Sequence, residues 1–129
     1  MGENRIKLVA ADMDGTLLNR ERKITKYTQD VIKKAMAQGV YFVPATGRAV
    51  NALPPELKEM EGIRYGIFSN GATIYDLKEE KVIYKNHFEM DRVLELMDFL
   101  KQFDLMESIS LNGQSYAKQK RNDKILNLL

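Results

Sequence analysis

The feature that most constrains the fold is the apolar run Ile6 to Ala11, which stops abruptly at Asp12-Met13-Asp14-Gly15. A short apolar stretch ended by an acidic, glycine-containing turn reads as a buried strand of a parallel sheet. Helical periodicity follows. Residues 26–38 carry Tyr27, Val31 and Ala35 on one stripe, with Ile32 and Met36 beside it. Thr25 is placed to cap the start and Gly39 the end. Val40 to Val43 is a second strand-like run, closed by Pro44. Strand, loop, helix and strand make a crossover unit, for which a right-handed connection is the rule. The fold class is therefore α/β with a parallel sheet.

The chain then changes character twice. Gly47 opens a polar segment of helical type, interrupted by Pro54 and Pro55, and Pro55 suits the first turn of a short helix ending near Met60. Tyr65 to Ser69 reads as a third strand. Asn70-Gly71 turns the chain into Ala72–Tyr75, and the charged turn Lys78 to Lys81 leads to Val82–Tyr84, so hairpins lie at the far edge. Beyond residue 85, Met90, Val93, Leu94, Met97 and Leu100 follow helical spacing and predict an amphipathic helix over roughly 90–103. Ile109 to Leu111, Asn112-Gly113 and Gln114 to Ala117 give a two-residue hairpin signal. Lys124 to Leu129 reads as the start of another helix. Its apolar side chains call for a partner surface, which suggests a fragment of a longer protein.

Composition excludes several classes. Lys and Arg number 20 against 18 Asp and Glu, a net charge of +2, and neither sign forms a long block. That balance predicts neither a nucleic-acid partner nor a membrane surface. There is no cysteine, hence no disulfide framework, thiolate nucleophile or Cys-based zinc site. The single histidine, His87, excludes a multi-His metal site and reads as a linker residue. No apolar run approaches a membrane span, and the polar start lacks a signal-peptide pattern. A reducing, cytoplasmic setting is the expectation.

Chemistry concentrates in Asp12-Met13-Asp14-Gly15-Thr16-Leu17-Leu18. In an open parallel sheet, ligands gather beyond the carboxyl ends of the strands. Residues two apart in an extended chain point the same way, so both carboxylates can reach one ligand. Two carboxylates so close repel each other unless a cation or proton relieves them. Mg²⁺ does this with one or two protein carboxylates, a substrate phosphate and water. A carboxylate beside Mg²⁺ can attack phosphorus, and a second carboxyl can serve as acid and then base. Taken without its context, a D-x-D pair reads first as turn carboxylates capping the following loop. Its place after an apolar strand, with Gly-Thr and two leucines behind it, favours the chemical reading.

These seven residues resemble the first motif of the haloacid dehalogenase-like (HAD) phosphohydrolases. The resemblance implies that Asp12 is the nucleophile and Asp14 the acid/base. It also implies Mg²⁺ bound by the Asp12 carboxylate and the Asp14 backbone carbonyl. Pro44-Ala45-Thr46-Gly47-Arg48 follows the second strand, where the family places a Ser or Thr. Thr46 and neighbouring backbone N–H groups suit phosphoryl oxygens, and Arg48 adds charge. Thr46 has a second reading as the N-cap of the next helix. Together with Ser69-Asn70-Gly71-Ala72-Thr73-Ile74-Tyr75-Asp76, this segment resembles the Cof-like sugar-phosphatase subfamily. Asn70 and Gly71 would then line the site, although Asn-Gly also reads as a plain hairpin turn.

The resemblance implies a Rossmann-like core portion over residues 1–84 and the beginning of an α/β cap over 85–129. The family's later Lys and acidic motifs have no match. Lys118, Lys120, Lys124 and Asn122-Asp123 lack the surrounding pattern and take no role. The functional expectation is a Mg²⁺-dependent phosphatase of small phosphorylated metabolites such as sugar phosphates, weakly active or inactive as this chain alone. The alternative is a non-catalytic phosphate- or metal-binding module that self-associates as a homo-oligomer through an open sheet edge. The basic run Asn19 to Lys26 reads as a solvated loop, with steering of anionic substrates as its second reading.

Overall fold

In the computed structural model, residues 6–103, 105, 108–111, 114–118 and 125–128 are described. The first strand, β1 (Leu8–Asp12), lies parallel to β2 (Tyr41–Ala45), with α1 (Lys26–Ala37) between them in sequence. β2 in turn lies parallel to β3 (Tyr65–Phe68), reached through the short helix α2 (Pro55–Lys58). β4 (Thr73–Asp76) and β5 (Lys81–Lys85) then add antiparallel hairpins, so the spatial order equals the chain order. The sheet is mixed: parallel on the side carrying Asp12 and antiparallel at the far edge.

Helix α1 begins as its sequence requires, with Thr25 Oγ1 accepting the Thr28 N–H at 3.2 Å. Gly39, at φ +84°, takes the left-handed conformation just past its end. The buried stripe differs from the expected one. Ile32 is in the core with Met36 packed against it, whereas Tyr27 and Val31 face outward. The chosen face lies one residue around the helix, because Ile32 meets a core that also holds Leu18, Ile24 and Phe42.

Two strand expectations are corrected. The first strand is parallel but not buried: Leu8 is 54% and Val9 39% exposed. Its position explains this, since β1 is a sheet edge paired only with β2. The second strand does not close at Pro44 but runs through it to Ala45. The Tyr41 N–H points toward β1, donating to Lys7 O at 2.8 Å. By alternation, position 44 faces β3, whose pairing with β2 begins only at Ala45 opposite Ile67, so no ladder bond is lost to the proline.

The core runs under the carboxyl ends of these strands. Met13, Leu57 and Phe68 are fully buried, joined by Leu53, Met60 and Ile63. Gly66 is a packing requirement, because a Cβ there would stand 2.5 Å from the Phe68 ring. The β4–β5 turn is tied by Asp76, 2% exposed, which accepts the Lys78 and Glu79 N–H groups at 3.0 Å. Arg64 completes the tie, with Nε 3.0 Å from Asp76 Oδ2. Burial pushes the Asp76 carboxyl up, but the two backbone donors and Arg64 outweigh it and hold it below the ordinary carboxylate value.

The expected helix after residue 85 is α3 (Met90–Leu100), none of whose residues is fully buried. A second sheet follows, β6 (Ser108–Leu111), β7 (Gln114–Lys118) and β8 (Ile125–Leu128), all antiparallel. Leu111 pairs with Gln114, as a two-residue connection demands; Asn112-Gly113 itself lies outside the described residues, as do Lys120 and residues 122–124. The helix expected from Lys124 is instead a strand. A stretch this short does not sustain a helix alone, whereas pairing along β7 gives its backbone groups partners. No helix among the described residues is long and apolar enough to cross a membrane.

Candidate active site

The register of β1 and β2 sets Asp12 beside Ala45, so the carboxyl ends of two parallel strands finish together. After Asp12 the chain makes a wide turn, Met13–Leu17, closed by the Leu18 N–H on Met13 O at 2.8 Å. Met13 points into the core and is fully buried, while Asp12 and Asp14 on either side of it stay exposed. Gly15, at φ +81°, makes the reversal possible. Leu18, 6% exposed, anchors the exit. Thr16 Oγ1 lies 3.4 Å from Asp12 Oδ2, a contact no sequence expectation included.

The exits of β2 and β3 are bound to each other. Thr46 N–H donates to Ile67 O at 2.9 Å, Asn70 N–H to Thr46 O at 3.2 Å, and Ser69 N–H to Arg48 O at 3.0 Å. These bonds hold Ser69, Asn70 and Gly71 at φ +51°, +55° and +90°. For non-glycine residues such a conformation costs on the order of 1 kcal/mol each. The strain therefore sits beside the Asp12 carboxylate. Gly47 approaches this turn closely: a Cβ there would stand 2.7 Å from Asn70 Oδ1, so the amide would have to move.

A cleft of about 290 Å³ opens at this rim, lined by Asp12, Ala45, Thr46, Gly47, Ile67, Asn70 and Gly71. Five of the seven residues expected at the site are on that wall: Asp12, Thr46, Gly47, Asn70 and Gly71. Thr46 is 6% exposed, and its Oγ1 accepts the Arg48 N–H at 3.1 Å, which leaves the hydroxyl proton for a ligand. Among the described residues the Gly47 N–H has no partner. Asp12, Thr46 and Gly47 thus bring a carboxylate, a hydroxyl and an amide donor to one small cleft. Ala45 and Ile67, the apolar walls, carry no chemical signature in the sequence.

The other two expected residues are elsewhere. Asp14 and Arg48 do not line the cleft but form a fork, with Arg48 Nη2 on Asp14 Oδ1 at 2.6 Å and Nε on Oδ2 at 2.9 Å. The hydrogen-bonded Arg48 guanidinium holds the Asp14 carboxyl below its ordinary value, and Arg22 adds to this from the neighbouring loop. That loop is ordered by Asn19, whose Oδ1 accepts the Glu21 and Lys23 N–H groups at 3.0 and 2.9 Å. His87 is exposed, its Nε2 3.5 Å from Thr73 Oγ1, in keeping with a linker residue.

Among the described residues no three His, Cys, Asp or Glu side chains form a metal-binding group. Among the residues that line the cleft, Asp12 is the one carboxylate. That fits Mg²⁺, which keeps water and takes substrate oxygens for its remaining positions.

A mixed sheet with a cleft at the carboxyl ends of its parallel strands, lined by Asp12 and by the turns after β2 and β3, defines an α/β protein with its candidate site at the ligand-facing rim. The chain matches the haloacid dehalogenase-like hydrolase family over residues 9–127 and belongs to it. A protein of Buchnera aphidicola (subsp. Schizaphis graminum) is 38% identical over 120 residues, covering 91% of this chain and 43% of its own length. The 5-amino-6-(5-phospho-D-ribitylamino)uracil phosphatase YcsE of Bacillus subtilis is 37% identical over 89 residues, 66% of this chain and 36% of that protein. The structure of BT4131, a sugar phosphatase of HAD subclass IIB, superposes with a TM-score of 0.72 at 28% identity, covering 86% of this chain and 43% of that one. The chain spans less than half the length of each of these relatives.

Proposed function

We propose that the cleft is the phosphoryl site of a Mg²⁺-dependent phosphatase acting on small phosphorylated metabolites, with sugar phosphates the leading class. The observation that carries this reading is that Asp12, Thr46 and Gly47, whose N–H has no partner among the described residues, line one cleft of about 290 Å³ at the strand ends. Phosphatase names among the relatives, including a sugar phosphatase, support it.

In this reading an Asp12 oxygen attacks phosphorus. The bond from phosphorus to the substrate oxygen breaks, and that oxygen leaves with a proton from Asp14. Water then attacks the aspartyl-phosphate, gives its proton to Asp14 and releases phosphate. Thr46 Oγ1 and the Gly47 N–H stabilise the equatorial oxygens, and Asn70 and Gly71 close the opposite wall. The Asp12 carboxylate and the Asp14 carbonyl would hold Mg²⁺, which would supply charge neutralisation. Residues 1–84 act as the core portion and 85–129 as the first part of a cap, in a reducing cytoplasmic setting.

The test is incubation with acetyl phosphate and Mg²⁺, followed by mass spectrometry for a phosphoryl adduct on Asp12. An adduct that Asp12→Asn abolishes is the expected result. Phosphate release from sugar phosphates by this chain alone should be weak, because it lacks the family's later Lys and acidic motifs, and each such donor is worth about 10²–10³ in rate. An adduct that persists in Asp12→Asn would overturn the assignment of the nucleophile.

A further inference from the structure

Arg48 is held on three sides. Its N–H donates to Thr46 Oγ1 at 3.1 Å, its carbonyl accepts the Ser69 N–H at 3.0 Å, and Nη1 donates to Ala52 O at 3.3 Å. These contacts leave the Nε/Nη2 edge of the guanidinium free to face an anion, and that edge carries the Asp14 carboxylate. A guanidinium edge takes carboxylate and phosphate oxygens with the same two-pronged geometry. The residue that presents this edge is next to Gly47 and two from Thr46, both on the cleft wall.

From this geometry we infer that the Asp14 carboxylate is a resident stand-in for the substrate's oxyanion. A phosphoryl group entering the cleft displaces Asp14 from Arg48, so that Arg48 passes from the carboxylate to the phosphate and Asp14 is released toward the reacting atoms. The inference rests on the phosphoryl reading of the cleft and adds a coupling to it: the acid/base residue is set free only when an anion takes its seat. The fork accounts for the absence of Asp14 from the cleft wall. No bond is made or broken in the exchange; one ion pair replaces another.

The coupling is tested by a double-mutant cycle on the full chain, read as affinity for inorganic phosphate by calorimetry at fixed pH and ionic strength without metal. Removing the competitor in Asp14→Asn should tighten phosphate binding roughly fivefold, the scale of one exposed, well-formed ion pair. Arg48→Lys, which keeps the charge but cannot fork, should weaken it, and Asp14→Asn should then bring no gain. An equal gain from Asp14→Asn with and without the Arg48 change shows simple removal of negative charge and overturns the exchange while leaving the phosphoryl site intact. No phosphate binding by any variant overturns both readings. The Arg48 Nε resonance of the unaltered chain gives a test without mutants: it should shift on phosphate titration, and an unmoved resonance at saturation refutes the exchange.

Discussion

Met13 lies between the two aspartates and is fully buried, so its truncation separates packing from chemistry. Met13→Ala removes the side chain that holds the Asp12–Leu18 turn against Leu18, Phe68 and the rest of the core. Deleting a buried Met or Leu down to Ala costs about 2–5 kcal/mol, transfer and cavity together. With no exposed surface to recover and a turn too short to collapse inward, about 3 kcal/mol is expected. For a chain of this size that corresponds to a fall in Tm of roughly 10 °C. Urea denaturation followed by circular dichroism measures it, and Met13→Leu, close in volume, should lose less than about 1.5 kcal/mol. A loss below about 1 kcal/mol for Met13→Ala would show that the turn is held by its own backbone bonds. The account of how the sequence presents its carboxylates would then be wrong.

Two more outcomes follow from the same geometry. Gly47→Ala places a methyl on Asn70 Oδ1, which a terminal amide escapes by rotating; stability should stay within about 1 kcal/mol, while phosphate affinity falls roughly fivefold as Asn70 leaves the wall, both read by calorimetry. Asp76 has a depressed folded pKa, so its contribution to stability is present above the unfolded value, about 3.9, and disappears as pH falls through the folded one. The Tm gap between the unaltered chain and Asp76→Asn should therefore be widest near neutral pH and shrink as pH falls below the ordinary carboxylate range; a gap independent of pH would refute the role of the ionised carboxylate.

The order of elements was legible because each signal was local. Thr25, Gly39 and Pro55 act at single turns, and Asn70-Gly71 reverses the chain where its residue types demand. What escaped was decided by neighbours distant in sequence. Burial of β1 depends on whether a strand pairs beyond it, and the outward turn of Tyr27 and Val31 depends on which helical face meets Leu18 and Phe42. Ile125–Leu128 takes its form from the open edge of β7, which no periodicity within four residues can encode.

The site shows the same division at finer scale. Asp12, Thr46, Gly47, Asn70 and Gly71 could be placed near the cleft because strand ends and glycine turns place backbone, and backbone placement follows from short sequence windows. The direction of a long charged side chain does not. Asp14 and Arg48 are 34 residues apart, so no short sequence window contains their pairing. In the free chain the fork holds Asp14, paired by Coulomb attraction and two N–H donors. Sequence reading assigned each a role in the loaded site, one as acid/base and one as phosphate ligand. The structure pairs them with each other, and that pairing, not their identity, was the part hidden from the sequence.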